Sequence, residues 1–129
     1  MRITIGGAVI EYEKILLVKK KSTWILPGGK PEEGESDLVC LSREFREELS
    51  GTQIDPRSAV YFDTFKGISP NKNLPIEIRV YRVDLASKLG NASAEILDRK
   101  WLNYEEAIKL ENSELTCDIL NSLRYNNFL

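Results

Sequence analysis

The amino-acid sequence predicts a single α/β domain over residues 1–129, with helices on the faces of a mixed β-sheet. Three observations lead there. The chain has 129 residues, enough for one ordinary domain and too few for two. Hydrophobic residues make up 42% and charged residues 29%, so a core is attainable and wholesale disorder is not expected. Short runs of strand character alternate irregularly with segments of helical period, which favours hairpins and a mixed sheet over a doubly wound parallel one.

Residues 2–10 alternate as a strand, with Ile3 and Ile5 on one face. Lys14 to Lys19 is a second short strand, followed by a lysine cluster, Lys19 to Lys21, that reads as solvated. Glu11 to Glu13 between them reads as a hairpin turn, although it lacks the usual Gly or Asn. Trp24-Ile25-Leu26 is a short strand stopped by Pro27-Gly28-Gly29. A loop leads to Ser36, an N-cap with Asp37 in the first turn behind it. Leu38, Leu41, Phe45 and Leu49 recur at helical spacing, so a helix spans about 37–49 and Gly51 caps its end. Strands follow at 58–65 and 76–85, joined by a loop over 66–75, and Lys100 to Leu102 is a last short strand. Tyr61, Phe62 and Phe65 are read as core packing. Asn103 with Glu106 resembles a capping box that opens a helix to about Leu110, and Ser113 caps a final helix to about Leu123.

Composition narrows the chemistry. The chain contains no histidine, which excludes from it a Ser-His-Asp triad, a Cys-His pair and His-ligated zinc. Carboxylates are plentiful, with 20 Asp and Glu. The net charge of −2 gives no general attraction to nucleic acid or an anionic membrane, so neither is expected as a partner. A polyanionic ligand would need a local reversal of sign, which a metal ion supplies. Cys40 and Cys117 read as reduced thiols. Met1 to Ile10 lacks the apolar region of a signal peptide, and the longest apolar run, Ile15 to Val18, is far too short for a bilayer. A cytoplasmic location is the expectation.

The informative feature lies in the central helix. Glu44, Glu47 and Glu48 stand at i, i+3 and i+4 and share a face, about a quarter-turn from the apolar stripe. Three like charges at the edge of a buried face repel one another, and a hard divalent cation converts that repulsion into attraction. An acidic helix edge is also common as plain solvated surface, and Arg43 to Glu47 is an i,i+4 ion pair.

Context decides between these. Gly29 is followed after five residues by Glu35 and after seven more by Arg43-Glu44-Phe45-Arg46-Glu47-Glu48. This resembles the Nudix box, G-x5-E-x7-R-E-U-x-E-E-x-G-U with U a bulky apolar residue. Six fixed identities match, which chance supplies in a given frame with a probability on the order of 10⁻⁷. Trp24 to Lys30 is similar to the family's entry into the box, and Cys40 sits where a small packing residue is usual. The box departs at its end: Ser50-Gly51 places the glycine one residue late. A P-loop reading of the glycine pair fails, because Trp24 stands where that motif needs its first glycine and Pro31 follows Lys30.

The resemblance implies an α/β/α sandwich with a mixed β-sheet and a loop–helix–loop box. It implies that Glu47 and Glu48 hold Mg²⁺ or Mn²⁺, with Glu44 as a further ligand, a contact through water, or the base. The main-chain carbonyl near Gly28 would add an oxygen. Arg43 would orient the glutamates by pairing with Glu47 or Glu35, and Glu35 itself would be structural or serve an additional cation. Glu95, in Ser93-Ala94-Glu95-Ile96, resembles a loop glutamate that approaches the metal in the family. The implied reaction is hydrolysis of a diphosphate bond in a small nucleotide, first a nucleoside triphosphate to monophosphate and pyrophosphate as in the MutT group. The alternatives are a nucleotide-sugar or dinucleoside polyphosphate hydrolase, and a non-catalytic nucleotide-sensing domain. An isoprenoid diphosphate isomerase on the same fold is weighed against by the absent histidine and the short chain. Monomer and homodimer are both compatible with the resemblance.

Overall fold

The computed structural model describes residues 2–69 and 72–129. Two sheets of four strands carry the chain. In the first, β1 (Arg2–Ala8) lies between β5 (Gly28–Gly29) and β7 (Pro75–Leu85), and β6 (Ile54–Ile68) forms the edge beyond β7. The β1–β7 pair is parallel and its neighbours are antiparallel, so the sheet is mixed as predicted. In the second, β3 (Lys14–Lys20) pairs antiparallel with β2 (Ile10–Glu11), β4 (Thr23–Ile25) and β8 (Ile96–Leu102).

Helices cover both sides. Leu16 and Val18 of β3 join Ile5, Val9 and Val83 under α1 (Asp37–Glu48), packed on Cys40, Leu41, Phe45 and Leu49. Ile15 and Leu17 point the other way, into a cluster with Ala107 of α2 (Tyr104–Ile108) and Ile119, Leu120 and Leu123 of α3 (Glu114–Tyr125). With helices on both faces, alternation loses its polar half, and all four residues Ile15 to Val18 are fully buried. That is why this strand reads as a continuous apolar run.

The ends of several elements differ from the expectation. The strand predicted at 58–65 extends from Ile54 to Ile68. Pro56 sits inside it where the register shifts between Asp55 and Val60, so its missing N–H costs no ladder bond. Ser58 pins this bulge, accepting from Asp84 N–H at 2.8 Å and donating to Asp55 O at 2.7 Å. The loop expected over 66–75 is correspondingly shorter, and Pro70 and Asn71 within it lie outside the described residues. β8 begins at Ile96 rather than Lys100, because exposed Leu97 and Asp98 give its first half no apolar alternation and pairing with β3 makes it a strand. The capping box of Asn103 and Glu106 forms as expected, and the helix it opens ends at Ile108.

The β2–β3 turn resolves the missing glycine. Tyr12 and Glu13 both take left-handed backbone, with φ of 51° and 64°. That is the demand of the tight hairpin turn that Asn-Gly meets most easily. Replacing Tyr12-Glu13 by Asn-Gly should therefore raise unfolding stability by about 1 kcal/mol, read as a higher urea midpoint with unchanged slope.

Candidate active site

The site is built on α1, which is tied down at both ends. Ser36 accepts from Val39 N–H at 3.2 Å as the N-cap. Asp37 is gripped by Arg79 at 3.2 Å and by the Tyr81 hydroxyl at 2.7 Å. At the other end Ser50 (φ 26°) and Gly51 (φ 79°) turn the chain away, and Gly51 N–H returns to Arg46 O at 2.9 Å. The late glycine thus still closes the helix. Ser93 N–H donates to Glu48 O at 2.9 Å, which stitches the segment carrying Glu95 to the end of α1.

The three helix glutamates differ sharply in burial. Glu48 is 8% exposed, Glu44 is half-buried, and the side chain of Glu47 is 53% exposed. At 100° per residue, Glu48 falls about 20° from Leu41, inside the arc that faces the core, whereas Glu47 lies about 120° away. The sequence places all three as one patch at the edge of the stripe, and helical angles taken from Leu41 separate them.

Arg43 binds the carboxylates together. Its Nε and Nη2 donate to both oxygens of Glu35 at 2.7 and 2.9 Å, a bidentate pair. Nη1 donates to Glu44 at 2.9 Å and to Glu47 at 3.2 Å, and Nη2 also reaches Lys30 O at 3.1 Å. Glu35 further accepts from Glu32 N–H at 2.7 Å. Arg43 and this backbone bond together hold the Glu35 carboxyl down at about 2. Both expected partners of Arg43, Glu35 and Glu47, are engaged at once.

The glycine turn presses against the other two glutamates. Gly28 adopts φ 149°, and a Cβ there would collide with the Ile5 carbonyl in the neighbouring strand. Its N–H donates to Glu48 Oε1 at 3.0 Å, the one hydrogen bond to that carboxylate among the described residues. A Cβ on Gly29 would lie 2.5 Å from the Glu44 carboxyl carbon, so the missing side chain is the space Glu44 fills. Gly29 O accepts from the buried Cys40 thiol at 3.5 Å, in keeping with a packing role for Cys40. Burial pushes the Glu48 carboxyl up to about 8, beyond what the Gly28 N–H offsets, with the Glu44 charge adding to the rise. Burial also raises Glu44, against the pull of Arg43.

These groups line a cleft of about 230 Å³ that also takes in Arg2, Lys20, Lys30 and Glu95. Glu95 pairs with Lys20 at 2.9 Å, which lowers its carboxyl below the ordinary range. As these side chains stand, no three or more acidic or thiol groups among the described residues converge tightly enough to hold an ion. Arg43 occupies Glu44 and Glu47 instead. The donor set nevertheless fits a hard divalent cation: Glu48 is an under-solvated carboxylate with one weak compensating donor, Glu44 stands beside it, and both open onto one cleft.

A second cavity of about 100 Å³ adjoins the cleft and shares Arg2, Lys20, Gly28 and Gly29 with it. Its walls are mainly aliphatic, among them Ile25, Leu26, Ile76, Ile78 and Leu115. From sequence the lysine cluster reads as solvated, and Arg2 belongs to no motif. The structure brings Lys20 into both cavities. The alternation that puts Ile3 and Ile5 on one face of β1 assigns Arg2 and Thr4 to the other, and that signal could have found Arg2. Phe62 and Phe65 pack on the α3 cluster as expected, but Tyr61 is 50% exposed, set edge-on against Tyr81 at 5.6 Å. Tyr61 stays in register opposite Tyr81, and the bulge that follows it leaves Phe62 as the extra residue.

A layered mixed sheet with a glycine turn, a glutamate-rich helix and a pinning arginine defines the Nudix class of fold and box. The chain belongs to that family: the model of the NUDIX domain matches residues 1–118. It is 38% identical over 92 residues to the mRNA-decapping protein g5R of African swine fever virus, covering 64% of this chain and 37% of that protein. It is 30% identical over 128 residues to mRNA-decapping enzyme subunit 2 of Arabidopsis thaliana, covering 95% of this chain and 30% of that protein. The chain thus spans about a third of the length of these curated relatives. In fold it resembles a MutT NUDIX hydrolase from Burkholderia pseudomallei, with TM-score 0.81, 22% identity, and coverage of 95% of this chain and 97% of that one.

Proposed function

We propose that this chain is a divalent-metal-dependent hydrolase that cleaves a diphosphate bond in a small organic diphosphate, with a nucleoside triphosphate as the first substrate class. The observation that carries the reading is the buried, under-compensated Glu48 beside Glu44, at the floor of a cleft bordered by cations. Glu44, Glu47 and Glu48 would hold Mg²⁺ or Mn²⁺, with Glu95 and the backbone near Gly28 as further oxygens and Glu35 kept for structure. The cation when bound would neutralise phosphate charge and acidify water.

The chain's own part is positional. Arg43 fixes the rotamers of Glu44 and Glu47 and anchors them to the loop through Glu35 and Lys30. Gly28 lets the turn close onto the Ile5 carbonyl, and Gly29 leaves the room in which the Glu44 carboxylate lies against the turn. The water oxygen adds to phosphorus, the bridging phosphorus–oxygen bond breaks, and the phosphate-bearing leaving group keeps that electron pair. The proton of the water passes to a cleft carboxylate, Glu44 or Glu95. Lys20 and Lys30 offset the charge of the departing phosphate.

A second reading, cleavage of a nucleotide cap on RNA, is favoured by the identity to the two decapping proteins. One panel separates the two. Nucleoside triphosphates, nucleotide sugars, dinucleoside polyphosphates, ADP-ribose and capped RNA are each incubated with the protein and Mg²⁺ in oxygen-18 water. Products identified by mass spectrometry should show heavy oxygen on one phosphate. No phosphate-containing product from any of them, with the fold intact, would leave a nucleotide-sensing domain in place of an enzyme.

A further inference from the structure

We propose that Arg2 is a substrate-binding residue, gripping the phosphates of an organic diphosphate where the acidic cleft opens into the aliphatic cavity. The inference rests on the hydrolase reading above and adds to it a residue outside the glutamate box.

The placement follows from strand geometry. Arg2 and Thr4 share one face of β1, and the parallel register sets them beside Ile76 and Ile78 of β7. That face floors the aliphatic cavity, and the first turn of α3 roofs it with Ser113 and Leu115. Arg2 stands at the end of this floor and belongs to both cavities.

Charge singles it out. The ionisable side chains that line the aliphatic cavity are Arg2, Lys20 and Lys72, all cations, with no carboxylate among the described residues. The adjoining cleft holds Glu44, Glu47, Glu48 and Glu95. Of the cations common to both cavities, Lys20 is paired with Glu95 at 2.9 Å. Arg2 makes no ion pair among the described residues, so its guanidinium is left to a ligand. A planar fork of donors matches two phosphate oxygens, and a partly desolvated cation at an apolar mouth selects an anion with an apolar body. A ligand spanning both spaces lays its organic group over Ile76 and Ile78, its phosphates against Arg2 and Lys20, and its scissile bond toward Glu48.

The test uses wild type, Arg2→Ala, Arg2→Gln and Arg2→Lys, each checked for fold by circular dichroism. Inorganic pyrophosphate and α,β-methylene adenosine diphosphate, which resists cleavage between its phosphates, are titrated calorimetrically with Mg²⁺ present. Arg2→Ala and Arg2→Gln should weaken both ligands tenfold or more, and Arg2→Lys should recover part of the loss. With a substrate found by the panel, KM should rise tenfold or more and kcat should stay within about threefold, the signature of a lost binding contact. Binding within twofold of wild type in Arg2→Gln overturns the proposal, as does a fall in kcat at constant KM, or a wild type that binds neither probe. Arg2-dependent binding by a wild type that cleaves nothing sustains the clamp and rejects the hydrolase.

Discussion

With divalent cations chelated at pH 8, Glu48→Gln should melt at a clearly higher temperature than wild type. The Glu48 carboxyl titrates near 8 in the folded chain, against 4.5 when exposed, because burial penalises its charge. Below pH 4.5 it is protonated in both states and costs nothing. Between pH 4.5 and 8 the unfolded chain releases the proton and the folded chain keeps it, so stability falls as pH rises. The full loss, about 3 to 5 kcal/mol, is present above pH 8. Glutamine removes the titration yet keeps a carbonyl oxygen to accept from Gly28 N–H. The two proteins should therefore converge near pH 4 and separate by roughly 10 °C at pH 8. Saturating Mg²⁺ or Mn²⁺ should stabilise wild type far more than the variant, while turnover of the variant falls about 10²- to 10³-fold. Equal melting of the two chelated proteins at pH 8 would mean that Glu48 is solvated and is no poised ligand.

Arg43→Lys should be nearly as damaging as Arg43→Ala. One ammonium cannot reproduce the fork that holds Glu35 bidentately and Glu44, Glu47 and Lys30 O from the remaining hydrogens. Breaking this pair should destabilise the fold, read as a lower denaturant midpoint. Activity should drop about 10- to 100-fold with a matching loss of Mn²⁺ affinity, since the glutamates lose their orientation. The acid limb should move as well. Glu35 is held down near 2, so its stabilising pair is complete above pH 4.5 and fades as pH falls through 2. In the lysine variant that loss should be smaller and should be complete at a higher pH. A wild-type acid limb together with wild-type Mn²⁺ affinity would remove Arg43 from its positioning role.

What sequence alone determined is local. A box of six spaced identities named the family, because glycine, arginine and glutamate at fixed offsets are set by one helix and the turn before it. Caps were legible for the same reason: Ser36, Asn103 and Ser113 each bond a backbone N–H three residues on. The buried run Ile15 to Val18 of β3 was visible as an apolar stretch, and Arg43 was tied to Glu47 by spacing and to Glu35 by the family resemblance.

Only the tertiary structure decided the rest. β8 is a strand through its pairing with β3, and β6 is long because Ser58 pins a bulge around Pro56. Neither device leaves a period in the chain. The unequal burial of Glu44, Glu47 and Glu48 arose when the sheet and the glycine turn closed over one side of α1. Arg2 met Lys20 and the glutamates through strand register, and Glu95 arrived through Ser93. Each of these is a long-range contact. Its free energy depends on what another segment removes from water, and no window of neighbouring residues encodes that quantity.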